Sequence, residues 1–205
     1  MTLRLVLATA NQDKVKEITA IFEQVGSLAL LARPSDVADV EETGSTLLEN
    51  ARLKARALVD ATAIAAVADD TGLFIDAFDG APGVYSARYA GDHATDHENV
   101  TKVLEAFLRL KDQTVRSARF MTVALAIFPD GTEVMAEGSV EGLIIDEERG
   151  TGGFGYDPIF VPLEGDGRTF GEMPEDEKNA MSHRGRAFRL LADRLEKSGA
   201  FRKNT

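Results

Sequence analysis

Asp69 and Asp70 stand side by side, directly after the apolar run Ile64 to Ala68 and directly before Thr71-Gly72. Carboxylates at the end of a buried strand lie where α/β folds hold their ligands. Adjacent acids do not both stay ionised at close range without a cation. Mg2+ meets that need, held by one or two carboxylates plus substrate phosphates; a solvated turn in which Asp caps its own backbone fits the same residues. Glu41-Glu42-Thr43-Gly44 is a second acidic stretch, either a metal-binding loop or a solvated lead-in to the helix that follows. Thr9-Ala10-Asn11-Gln12-Asp13-Lys14 joins a strand-like run to a helix-like one. There the helix dipole and backbone N–H groups favour an anion. Thr9 and Asn11 add donors and Lys14 a mobile positive charge, but the glycines of a P-loop are missing, and ordinary polar loops look the same.

Two further stretches suit a planar ring. Gly150-Thr151-Gly152-Gly153-Phe154-Gly155-Tyr156-Asp157-Pro158 sets glycines around two aromatics, so that backbone can approach a ligand closely. Phe154 or Tyr156 offers a stacking face, and Asp157 an acceptor for a purine ring N–H. A tight loop with core aromatics gives the same pattern. Lys178 and Ser182-His183-Arg184-Gly185 place donors in an otherwise acidic region. A 6-oxo purine presents acceptors at O6 and N7, the edge for which Arg and Lys are natural partners; a solvated helix face is the plainer reading.

The elements that must position these groups alternate between strand and helix, which points to an α/β protein. Leu3 to Ala8 reads as a buried strand, and Val15, Ile18, Phe22 and Val25 recur at helical spacing. Thr46 with Glu49 makes a capping box, followed by the face Leu47, Ala51, Ala55, Leu58, Ala61. Ile64 to Ala68 is a buried strand that ends before the acids. Thr95 with Glu98 is a second box, leading into Val100, Val103, Leu104 and Phe107. Ser117 to Phe128, the turn Pro129-Asp130-Gly131 and Thr132 to Asp146 form a hairpin. The last helix carries Ala187, Leu190, Leu191 and Leu195 and ends near Gly199. A mixed central sheet flanked by helices is expected, in one domain spanning residues 1–205.

The 205 residues are 44% apolar, contain no cysteine and carry a formal net charge of −11. Disulfides, thiolate metal sites and cysteine nucleophiles are excluded. No run approaches the roughly 18 apolar residues of a membrane span, and the N-terminus lacks a signal-peptide pattern. A soluble cytoplasmic protein is expected. The negative charge disfavours nucleic-acid polymers, while a small polyanion remains possible given a few placed cations and a metal.

Together the motifs resemble one family, the inosine triphosphate pyrophosphatases. The matching stretches are Leu7–Lys14, Glu41–Ala55, Ala68–Gly72, Gly80–Gly91 (GAPGVYSARYAG), Gly150–Phe160 (GTGGFGYDPIF) and Lys178–Gly185 (KNAMSHRG), in the family's order along nearly the whole chain. The resemblance implies Mg2+-dependent hydrolysis of deaminated purine triphosphates (ITP, dITP, XTP) to monophosphate and pyrophosphate, in a fold of two lobes with the active-site cleft between them. It implies that Thr9, Ala10, Asn11, Gln12, Asp13 and Lys14 hold the triphosphate. Glu41 and Asp70 would bind Mg2+, with Asp70 also accepting the proton of the attacking water and Asp69 supporting that site. Thr71, where many members carry serine, would touch the substrate. Phe154, Gly155, Tyr156, Asp157, Lys178, His183 and Arg184 would surround the base, Lys54 would reach a phosphate, and the protein would be a homodimer. Two rivals stay open: a pyrophosphatase of related fold acting on pyrimidine or other modified nucleotides, and a nucleotide-binding regulator without catalysis.

Overall fold

The structure, a computed structural model, describes residues 2–26, 28–110 and 115–198. Among the described residues it is an α/β fold with five α-helices and a seven-stranded mixed sheet. Strand β1 (Leu3–Leu7) lies between β2 (Leu28–Leu31) and β3 (Ala66–Ile75), parallel to both. The order continues through β5 (Ser117–Ile127) and β6 (Glu133–Ile144) to β7 (Phe160–Pro162), while the short β4 (Pro82–Gly83) pairs antiparallel with β3. The expected hairpin is β5, the Phe128–Thr132 turn and β6.

The chain divides into two compact units. The first comprises residues up to Asp70, Thr122–Gly138 and residues from Ser182 onward; the second comprises Thr71–Met121 and Ser139–Met181. In the first, helix α1 (Gln12–Val25) starts at Asn11, whose side chain accepts from the N–H groups of Asp13 (2.9 Å) and Lys14 (3.1 Å). Its buried face is Glu17, Ile18, Ile21 and Phe22. This face meets helix α5 (His183–Lys197), with the Phe22 and Phe188 rings edge-on at 5.4 Å. Apolar residues of β1, β3 and β5 complete that core. Gly138 lets α5 approach β6: a Cβ there would stand 2.3 Å from the His183 carbonyl oxygen. Helix α2 (Leu47–Thr62) begins with the expected Thr46/Glu49 capping box and buries Leu47, Asn50, Ala51, Ala55, Leu58 and Val59. The second unit has its own core around Leu73, Val103, Phe120, Tyr156, Phe160 and Phe170. Its helix α3 (Asp96–Leu108) starts with the second expected box, Thr95/Glu98.

Two expectations are corrected. The strand assigned to Ile64–Ala68 begins at Ala66 and runs to Ile75, straight through Asp69-Asp70-Thr71-Gly72; Ile64 is exposed. The strand carries both acids in its interior because cations from elsewhere in the chain pair with them. Ala61 is exposed, because Val59 rather than Ala61 completes the buried face of α2. The final helix runs to Lys197 with Ser198 as its C-cap, beside the expected end; Gly199 itself lies outside the described residues.

Candidate active site

Successive side chains of a strand point to opposite faces, and that alternation separates the adjacent acids. Asp69 turns toward α1 and α5. Its carboxylate, with no side-chain exposure, pairs with Lys14 Nζ at 3.0 Å and Arg184 Nε at 3.3 Å. Arg184 is itself buried and also donates to Glu17. Burial alone would push the Asp69 carboxyl up, but Lys14, Arg184 and Lys54 outweigh it and hold it well below the usual carboxylate range. Asp69 is therefore a fixed anion. Lys14 is drawn the other way. Burial, together with the neighbouring cations Lys54 and Arg184, lowers its pKa despite Asp69. Both pKa values fall, which favours charge on Asp69 and neutrality on Lys14; for Lys14 burial is the largest cause, with the repulsion of Lys54 and Arg184 adding to it.

Asp70 turns toward α2. Lys54 Nζ donates to its Oδ1 at 3.1 Å, and Asn50 Nδ2 to its Oδ2 at 3.1 Å. Burial pushes the Asp70 carboxyl up and Glu42 adds to the rise, against the pull of Lys54, Lys14 and Asn50. Lys54, by contrast, is raised toward its charged form. Burial lowers it, but Asp70, Asp69 and Glu42 together more than compensate. Two neighbours of one residue type thus have opposite environments, one locked ionised and one held closer to neutrality, the arrangement that separates structural from proton-accepting carboxylates.

The acidic 41–44 stretch is anchored to the same helix. Glu42, half-buried, accepts from Lys54 Nζ at 2.7 Å, and the Gly44 N–H donates to Asn50 Oδ1 at 2.8 Å. Glu41 is exposed, and its carbonyl accepts from the Thr43 N–H at 3.1 Å. In the Thr9–Lys14 loop, Thr9 Oγ1 accepts from the Asn11 N–H, so the oxygens of both side chains brace the start of α1. Ala10, Asn11, Gln12 and Asp13 are exposed, and Thr9 and Lys14 half-buried. A recess of about 680 Å3 opens beside this loop, lined by Thr9, Gln12, Leu30, Arg33 and Val37; neither Asp69 nor Asp70 lines it.

His183 and Arg184 do not form a solvated helix face: both are buried at the start of α5, where Ser182 caps the helix by accepting from the Gly185 N–H. In the second unit, Lys178 is buried and donates to Asp157, which also accepts from the Phe154 N–H at 2.9 Å. The Lys178 ammonium lies 4.9 Å from the centre of the half-buried Phe154 ring. Asp96, at the start of α3, accepts from the Gly155 N–H at 2.7 Å, so the loop is held by two carboxylates. Tyr156 belongs to the core, and its hydroxyl donates to the Ser86 carbonyl at 2.8 Å. The Gly80–Gly91 motif is organised by that same Ser86, whose Oγ accepts from the Leu73 N–H and donates to the Gly83 carbonyl. Tyr156→Phe is expected to cost about 1 kcal/mol, the net worth of one buried hydrogen bond, visible as a lower urea midpoint. An unchanged midpoint would mean that the hydroxyl contributes nothing to the fold.

Sequence reasoning missed Glu17 and Asn50. Each left a signal: a polar residue inside the buried stripe of an amphipathic helix, Glu17 beside Ile18 and Ile21, Asn50 beside Leu47 and Ala51.

Residues 5–194 match the family model described as the Ham1 family. A dITP/XTP pyrophosphatase of Streptomyces coelicolor is 47% identical over 191 residues, covering 92% of this chain and 94% of that protein. A dITP/XTP pyrophosphatase of Escherichia coli K12 is 47% identical over 195 residues, covering 94% and 98%. The solved HAM1 protein of Coxiella burnetii superposes with a TM-score of 0.85 at 42% identity, covering 96% of this chain and all of that one. With sequence and fold both matched over nearly the whole chain, the chain belongs to the Ham1 family.

Proposed function

We propose that the protein is a nucleoside-triphosphate pyrophosphatase that hydrolyses deaminated purine nucleotides (dITP, ITP and XTP) to the monophosphate and pyrophosphate. The observation that carries this reading is the split between Asp69, held ionised by Lys14 and Arg184, and Asp70, raised by burial beside Lys54. Support comes from relatives named dITP/XTP pyrophosphatase at 47% identity.

In this mechanism a water attacks the α-phosphorus and the bond to the α,β-bridging oxygen breaks. Asp70 takes the proton of the attacking water, and pyrophosphate leaves. Lys14 and Lys54 stabilise the departing charge, with Thr9, Ala10, Asn11, Gln12 and Asp13 forming the phosphate-facing loop. An incoming polyanion offsets the mutual repulsion of Lys14, Lys54 and Arg184, which adds to the burial that lowers the Lys14 pKa. Asp69 holds Lys14 in place, and Thr71 contacts the substrate. The base is recognised by Phe154, Gly155, Tyr156, Asp157 and Lys178, with His183 and Arg184. Of the two aromatics, the half-buried Phe154 offers its ring to the base, while Tyr156, packed in the core, contributes by holding the loop.

The donor set suits Mg2+. Among the described residues no three His, Cys, Asp or Glu side chains gather tightly enough to form an all-protein metal site. Mg2+ does not require one, because it takes one or two carboxylates and completes its shell with waters and substrate phosphates. Asp70 and Glu41 would hold it, with Glu42 adjacent, and when bound it would neutralise phosphate charge and acidify a water. No helix among the described residues is long and apolar enough to cross a membrane. One pyrophosphatase domain over residues 1–205, a cytoplasmic location and a homodimer complete the reading; the family resemblance supports the homodimer.

The test is product analysis with dITP, ITP, XTP, GTP, ATP and dTTP, with and without Mg2+. Pyrophosphate is expected from the deaminated purines alone, and only with metal. Orthophosphate would place the attack at the terminal phosphate, and no product at all would leave a nucleotide-binding protein.

A further inference from the structure

Asn50 is fully buried, polar and absent from the mechanism above. It lies in the first turns of α2, where the Thr46/Glu49 capping box fixes the backbone and its own N–H donates to the Thr46 carbonyl at 3.2 Å. Its amide makes two bonds of opposite sense. Nδ2 donates to Asp70 Oδ2 at 3.1 Å, and Oδ1 accepts from the Gly44 N–H at 2.8 Å. A carboxylate oxygen only accepts and a backbone N–H only donates, so this is the one amide orientation that satisfies both partners. One helical turn later, Lys54 repeats the pattern, donating to Asp70 Oδ1 and to Glu42. Residues four apart on a helix share a face, so α2 grips both oxygens of Asp70 and, with the same two side chains, the stretch that carries Glu41 and Glu42.

The two grips differ in kind. Lys54 is a charge on a flexible stem, drawn to any nearby anion, including an incoming phosphate. Asn50 is short, neutral and fully packed. It therefore sets direction: which way the Asp70 carboxylate is turned, and how far the 41–44 backbone stands from it. The fit at Gly44 is close, since a Cβ there would stand 2.6 Å from Asn50 Oδ1 and 2.6 Å from Glu49 Cβ.

We infer that Asn50 is a positioning residue for the reaction: through its amide it fixes the rotation of the Asp70 carboxylate and the spacing of Asp70 from the Glu41-Glu42 segment. The inference rests on Asp70 being the proton acceptor. A side chain that orients a reacting group without touching substrate lowers kcat and leaves substrate binding nearly intact. If the same two segments supply the metal-facing carboxylates, loss of the amide also weakens divalent-cation binding, by the roughly 10- to 100-fold typical of groups that orient metal-facing side chains.

Asn50→Leu keeps the branched outline and removes both hydrogen bonds; Asn50→Ser stays polar but is too short to span both partners. Steady-state kinetics with dITP, Mn2+ titration of the nucleotide-free protein followed by electron paramagnetic resonance, and circular-dichroism melts would be run on both variants beside Asp70→Asn. The expected result is a kcat about 10- to 100-fold lower in each, with KM within about threefold of the parent, and a Mn2+ affinity about tenfold weaker. If Asn50→Leu fails to fold, Asn50→Ser carries the same comparison. Folded variants with parental kcat and Mn2+ affinity, beside an inactive Asp70→Asn, would overturn the positioning role while leaving the proposed function intact. An active Asp70→Asn would overturn the Asp70 assignment, and that of Asn50 with it.

Discussion

Asp70→Asn is expected to lower turnover of dITP about a thousandfold or more while leaving the protein folded. Asparagine matches the carboxylate in shape but does not accept the proton of an attacking water, and general-base contributions span about 10² to 10⁴ in rate. The stability sign runs opposite to the activity sign. Burial raises the Asp70 carboxyl above its unfolded value. The native state thus holds that proton more tightly than the unfolded chain. Stability associated with this group is present below the unfolded value of about 3.9 and is lost as pH rises toward the folded value. At neutral pH the ionised form is a net cost to the fold, which a neutral amide removes. Lys54 loses one partner but keeps Glu42 at 2.7 Å. The melting temperature is therefore expected to hold or to rise. A variant retaining more than about a tenth of parental kcat would remove Asp70 from the mechanism. A melting temperature many degrees lower would show that its charge is structural.

Asp69→Asn should do the reverse, with its main effect on stability. The Asp69 carboxylate balances Lys14 and Arg184 in a buried network that continues to Glu17. Removing one member of a buried ion network while its partners stay charged costs about 3–5 kcal/mol. The folded pKa lies well below the usual range, so the sign differs from that of Asp70. The contribution is fully present above the unfolded value of about 3.9 and is lost as pH falls from there toward the folded value. Urea denaturation of parent and variant at pH 7, 5, 4 and 3 reads it directly. The stability gap is expected to be constant from pH 7 to 5 and to narrow below about pH 4. A gap under about 1 kcal/mol at pH 7 would mean that the network is no stronger than a surface ion pair. Because Asp69 also orients Lys14, KM for the nucleotide is expected to rise as well.

Much of this was legible beforehand, because local chemistry writes it. The Thr46/Glu49 and Thr95/Glu98 boxes begin helices where their spacing says they should. Alternating strand-like and helix-like runs give an α/β fold, and the β5–β6 hairpin follows from Pro129-Asp130-Gly131. The acids, lysines and glycine-rich loop that could carry chemistry were identifiable by type alone. Other features were not. A strand ending at Ala68 was the natural expectation, since two consecutive acids inside a buried strand are unstable in isolation; β3 continues because cations reach them from other parts of the chain. Nor does spacing show that the Asn11 side-chain oxygen caps α1 by accepting from the N–H groups of Asp13 and Lys14. Arg184 looked like a donor on a solvated face and is among the most deeply buried side chains.

By itself, then, the sequence determined the fold class, the helix starts, the hairpin and the inventory of chemically able groups. Those depend on residue periodicity and on contacts within a few positions. Only the tertiary structure decided which of two adjacent aspartates is locked ionised and which is held nearer neutrality. That choice is made by which face of β3 each side chain takes. It also depends on partners distant in the chain: Arg184 is 115 positions from Asp69 and 167 from Glu17, while Asn50 and Lys54 reach Asp70 from α2. Charge–charge energies depend on distance and burial in the folded state, and neither is encoded in local spacing.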